Sequence, residues 1–172
     1  MKKLSLILII FSMLFISCSK DDDNGGSQAE ITGTWELNKY EIDGEGTIEI
    51  DGEQIPVIIE GYGDNYNAQL TFADDTEPGI VTGSGTFDLT INFIFMGQII
   101  NTVEETISFE EMFLDATWIF NQASGTLTIQ EGTSTPTVLY VTTLNNNTLV
   151  LEYTEIDEET STNVTVKITL VR

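Results

Sequence analysis

Apolar and polar residues alternate along most of this chain from Ile31 to its end. Phe87-Asp88-Leu89-Thr90-Ile91-Asn92-Phe93 alternates without a break, and so does Val164-Thr165-Val166-Lys167-Ile168-Thr169-Leu170. Leu70 and Phe72, Leu127 and Ile129, and Leu149, Leu151 and Tyr153 repeat the pattern. A period of two puts one set of side chains on a buried face and the other in water, so these runs predict half-buried strands. Turn-forming clusters of Gly, Asp, Asn and Ser punctuate them at 43–44, 51–52, 74–79, 83–85, 145–147 and 157–162. One stretch, 110–116 (EEMFLDA), can hold a helical turn. About eight to ten strands with mostly short links predict an antiparallel meander, and closing it into a barrel removes its exposed edges. The expected fold is all-β, a single β-barrel domain over residues 31–172.

The inward candidates are Trp35, Leu37, Phe72, Phe87, Leu89, Ile91, Phe93, Trp118 and Phe120. Such a stripe either packs a core or lines a cavity, because a barrel of about eight strands holds side chains or one small ligand. The candidate ligand-lining residues are Phe72, Phe87, Leu89, Ile91, Phe93, Trp118 and Phe120. Residues 61–67 and 98–121 read as long excursions from the meander, the first offering Tyr62 and Tyr66 on an exposed loop. Glu105 shares parity with Val103, Ile107 and Phe109, and a bulge is expected to return it to solvent.

The segment Glu41-Ile-Asp-Gly-Glu45 recurs as Glu49-Ile-Asp-Gly-Glu53. Asp-Gly between strand-like flanks predicts two hairpin turns, since Gly takes positive φ at little cost. A calcium loop is the alternative, but Gly52 falls where a bidentate Glu is needed and the flanks are strands.

The front of the chain follows another pattern. Lys2 and Lys3 precede an apolar run over 4–16, the charged and greasy regions of a secretory signal. That run is shorter than the roughly 20 residues a membrane-spanning helix needs. Phe15-Ile16-Ser17-Cys18 resembles a bacterial lipobox, with Phe15 in place of the usual Leu. The resemblance implies that residues 1–17 are removed and that Cys18 is lipidated, carrying acyl chains such as palmitate. Two or three chains anchor stably, at about 0.8 kcal/mol per buried CH2. Ser19, Lys20, Asp21, Asp22 and Asp23 resemble the export signal of surface-displayed Bacteroidota lipoproteins. Residues 18–30 then form a flexible acidic tether, and the expected location is the outer membrane, with display at the cell surface. The partner so implied is a membrane, reached through the N-terminal acyl chains.

Charge and composition narrow the chemistry. The formal net charge is −22, and beyond the leader the basic residues are Lys20, Lys39, Lys167 and Arg172. Such a field repels nucleic acid and anionic surfaces. There is no histidine, which removes Ser-His and Cys-His catalysis and imidazole metal sites. Carboxylates are plentiful, but neighbours on a strand face opposite ways and acidic turns are solvated. No catalytic residue, cofactor or metal is assigned, and the chain is read as not an enzyme.

Four further stretches carry a resemblance. Gly33-Thr34-Trp35 opens the domain. Leu70-Thr71-Phe72 leads to Gly85-Thr86-Phe87, then comes Gly125-Thr126-Leu127-Thr128-Ile129, then residues 144–153 (LNNNTLVLEY). Together they resemble the lipocalin-like domains of bacterial lipoproteins. Lipocalins pair the first-strand Trp with an Arg of the last strand, which implies Trp35 and Arg172 as a latch at one barrel end. Arg172 has the parity of Leu170 and Ile168, while a frayed terminus is the alternative. The expected function is binding of a small hydrophobic ligand in or at the mouth of the barrel. The alternative is a filled, structural barrel that meets glycan or protein through its loops.

Overall fold

The computed structural model describes residues 30–50, 52–157 and 161–172. The leader, Cys18, the Ser19 to Asp23 cluster and the tether up to residue 29 lie outside the described residues. The described part forms nine antiparallel strands and one helical turn: β1 (Gly33–Ile50), β2 (Glu53–Ala73), β3 (Gly79–Phe95), β4 (Gln98–Ser108), α1 (Phe109–Met112), β5 (Ala116–Asn121), β6 (Thr126–Glu131), β7 (Thr137–Leu144), β8 (Thr148–Asp157) and β9 (Thr162–Val171). In the sheet the order is β2-β1-β9-β8-β7-β6-β5-β3-β4, and β2 also pairs with β3. Eight strands therefore close into a ring, with β4 outside it. The expected all-β meander barrel is the observed architecture.

The ring interior is packed. Trp35, Phe72, Phe87, Phe109, Leu70, Leu127, Leu149, Leu151 and Leu170 are fully buried. No polar or charged side chain is buried among the described residues. At one end Trp35 is wholly inaccessible, and its Nε1 donates to the Ile31 carbonyl at 2.7 Å. The guanidinium carbon of Arg172 lies 3.8 Å from the Trp35 ring centroid. Its Nη2 donates to the carbonyls of Thr32 and of Glu30, and its backbone N–H to that of Asn147. This end is sealed.

The other end opens because two ladders lose register at one level. β1 pairs β2 from Gly33 to Glu36 and again from Glu41 to Ile50, with a shift between. β2 shifts against β3 between Asp64 and Asn67, where Asn65 adopts φ 50. A bulge bends its strand and is common at barrel rims. Tyr66 fills the gap: its hydroxyl accepts from the Tyr40 backbone N–H and donates to the Gly63 carbonyl. Beyond this level β3 has left β5, which it meets over Gly79–Val81, and runs beside β4 from Thr86 to Phe95. The upper halves of β1, β2 and β3, with β4, β8 and β9, continue as a curved sheet above the opening. The gap between β3 and β5 is closed by α1, capped by Ser108. Phe109 of α1 meets Phe87 edge to face at 5.6 Å and Phe113 at 5.4 Å.

Four expectations need correction here. The stretch expected to turn at 43–44 lies inside strand β1; the connection to β2 lies at 51–52, where Gly52 has φ 85. Gly44 is small for packing. Ile42 stands opposite Gly61, Gly44 opposite Ile59 and Gly46 opposite Val57, so large and small residues interlock across the ribbon. A Cβ on Gly61 would lie 2.9 Å from that of Ile42, and one on Gly44 would collide with the Asn163 carbonyl of β9. Glu41, Asp43 and Glu45 alternate along that extended strand and form no calcium loop. Residues 61–67 are likewise strand, bulged rather than looped out, and Tyr66 is half-buried against Phe87. The 83–85 cluster lies inside β3, where Gly85 (φ 75) passes too close to the Asn67 carbonyl for any side chain. Glu105 reaches solvent without a bulge. The register from Thr86–Ser108 to Phe93–Asn101 is unbroken, and Glu105 stands opposite Leu89 on β4, the edge strand outside the closed ring.

Candidate functional site

An apolar pocket of about 180 Å³ opens at the unsealed end of the ring. Tyr40, Leu70 and Ile168 bring β1, β2 and β9 to its wall, and Leu151 and Tyr153 bring β8. Ile129 and Leu139 complete the wall from β6 and β7, while Met112 and Phe113 form its α1 side. Alternation explains the set, since each strand contributes inward residues one step above those packed around Trp35. Leu149 and Leu170 lie in the filled layer, and Leu151 and Ile168 lie at the pocket. At the rim, Glu131 and Thr137 are exposed.

The polar feature of this pocket is a tyrosine pair. The Tyr40 and Tyr153 hydroxyls hydrogen-bond to each other, with Glu155 acting on both electrostatically. Burial pushes the Tyr40 phenol well above its ordinary range, and the neighbouring Tyr153 and Glu155 add to the shift. Tyr153 is also raised, first by burial, against the opposing hydrogen bond from Tyr40. Both hydroxyls are thus neutral donors and acceptors at any physiological pH.

The seven residues expected to line a ligand lie elsewhere. Phe72 and Phe87 belong to the filled core, Phe72 meeting Trp118 edge to face at 5.5 Å. Trp118 donates through Nε1 to the Ala73 carbonyl, and with Phe120 it borders a shallow depression of about 350 Å³ near Ile31. Leu89 is buried in the same core and also borders an open depression beside Asp88, Ile91 packs against that core, and Phe93 stands further along β3. The residues that do line the pocket include Leu151, Tyr153 and Ile168, all part of the alternating pattern. What the pattern lacked was the level along the barrel at which filling stops.

A second, more open depression of about 410 Å³ lies by Tyr62, Asp64, Asn65, Asp88 and Thr106. Asn65 and Thr106 each donate to the Asp88 carboxylate at 2.8 Å, which holds its pKa below the usual range. Among the described residues no three His, Cys, Asp or Glu converge to hold a metal ion. No protein-family model matches this chain, and no curated protein matches it either.

The tyrosine pair generates a pH prediction. A phenol raised in the folded state keeps its proton while the unfolded one, near pH 10, loses it. The unfolded chain then binds fewer protons, so stability is full below about pH 10 and declines above it. Denaturation midpoints should fall between pH 9 and pH 11, and Tyr40→Phe should flatten that fall. Equal slopes in the two proteins would show that Tyr40 does not carry the effect.

Proposed function

We propose that this chain is a lipid-anchored, lipocalin-like lipoprotein of the bacterial outer membrane that binds a small hydrophobic ligand at its open mouth. The observation that carries the reading is the apolar pocket between Leu70, Leu139, Leu151 and Ile168, opposite the end sealed by Trp35 and Arg172. A cavity of about 150 Å³ lined by aliphatic side chains accepts benzene. This pocket therefore suits a single ring or the end of an acyl chain, with the curved sheet above it offering further surface. Binding rather than turnover is favoured because no carboxylate among the described residues is buried, so none is desolvated into a general acid. The leader, the lipobox-like sequence and the acidic stretch behind Cys18 support anchoring and display at the surface.

The open depression supports the other reading. Tyr62 is about half exposed beside Asp64, Asn65, Asp88 and Thr106, a flat ring flanked by hydrogen-bonding groups, as a glycan would require. Under that reading the barrel is a scaffold and the mouth pocket has no ligand.

A neutral hydrophobic fluorophore, N-phenyl-1-naphthylamine, separates the two. It should bind at micromolar concentration and lose about tenfold or more in affinity with Leu139→Trp, a substitution that fills the pocket. Absent binding, or binding indifferent to that variant, contradicts the mouth as a ligand site. For the anchor, Cys18→Ser should move the protein from the membrane fraction to the soluble fraction. Continued membrane association without acylation would rule out lipidation at Cys18.

A further inference from the structure

The charges around the pocket bear on which hydrophobic molecules it accepts. Three cations lie in the described body, and each is engaged elsewhere: Lys39 and Lys167 alternate with the pocket-lining Tyr40 and Ile168, so they stand on the outer face of their strands. Lys39 pairs with Glu41 at 2.7 Å, Lys167 with Glu152 at 3.2 Å, and Arg172 lies over Trp35 at the sealed end. The rim instead carries Glu131, which lines the pocket, and Glu155, two residues beyond Tyr153 on the same face of β8. Its parity with Leu151 and Tyr153 sets Glu155 one step above the apolar floor, next along β8 from the tyrosine hydroxyl. The protein as a whole carries −22. A carboxylate-bearing ligand such as a fatty acid would meet two like charges here and no positive group.

Resting on the proposed binding role, we infer that the mouth selects small hydrophobic amines: an aromatic or aliphatic body on the apolar floor, and an ammonium group between Glu131 and Glu155 beside the Tyr40–Tyr153 pair. Each part of the site has one task. Leu70, Leu139, Leu151 and Ile168 take the body out of water, where the gain follows the apolar area removed. The carboxylates stay solvated when the site is empty, so holding them costs little. They attract an ammonium at the edge of the apolar floor, where charge acts more strongly than in bulk water. The tyrosine hydroxyls accept hydrogen bonds from the ammonium without needing to ionise.

Three probes of one size distinguish charge selection from simple apolar binding: 2-phenylethylamine, 2-phenylethanol and phenylacetate, titrated into the full chain by calorimetry. The amine should bind about tenfold or more tighter than the alcohol at 20 mM salt, and phenylacetate more weakly than either. At 1 M salt, where the Debye length is about 3 Å, the amine and the alcohol should converge. The double variant Glu131→Gln, Glu155→Gln should bring the amine to the affinity that the alcohol shows in the same variant. If the three bind alike, the pocket is a ligand site and charge selection is wrong. An amine preference that survives the double variant comes from the overall field and overturns the assignment to this rim. If none of them binds, both the selection and the binding role fall.

Discussion

Trp35 beneath Arg172 is the contact on which the barrel depends. The indole closes the bottom of the core, and the guanidinium covers it from the residue that follows the last strand. The same side chain donates to the carbonyls of Glu30 and Thr32, so it fastens the segment before β1 across the end of the ring. Its backbone N–H reaches Asn147 in the turn between β7 and β8. One residue thus ties together the start of the first strand, the end of the last and a turn between two others. A cation over an indole contributes about 0.5 to 2 kcal/mol, more as water is excluded.

Sealing one end leaves the other to accommodate the mismatch between long and short strands. β1, β2 and β3 have 18, 21 and 17 residues, while β5 and β6 have six each. The long strands cannot all stay in a ring with the short ones, so they continue past it as a curved sheet. The bulge at Asn65 and the Tyr66 hydroxyl mark the level where this happens. Facing glycines and isoleucines let the sheet above stay tightly curved. The apolar pocket lies at that level, below the curved sheet and beside α1. Its position follows from strand lengths, and its rim carries Glu131 while Lys39 and Lys167 face outward from the strands beside it.

Much of this architecture was legible in the chain. Strict alternation in 87–93 and 164–170 located β3 and β9, and the turns at 74–79 and 145–147 fall where the strands end. The helical turn expected within 110–116 corresponds to α1. Glycine misled where it served closeness rather than turning. Asp43-Gly44, residues 61–67 and residues 83–85 all carry turn composition, yet each lies inside a strand because the opposite residue needs the space or the strand bulges. The pocket was not legible, because parity says which face a side chain takes and not how far up the barrel it sits. Phe72 and Leu70 share a face, but only Leu70 reaches the pocket. The tyrosine pair joins β1 to β8, a distance in sequence that no local pattern records.

Trp35 and Arg172 join the first strand to the end of the last and so close the barrel. A double-mutant cycle in chemical denaturation tests this closure most directly. Trp35→Ala should cost about 3 to 5 kcal/mol, as removal of a large buried ring does. Arg172→Ala should cost less. The two losses should overlap by about 0.5 to 2 kcal/mol, because removing either partner already forfeits the shared contact. Losses that add without overlap would contradict closure through this pair.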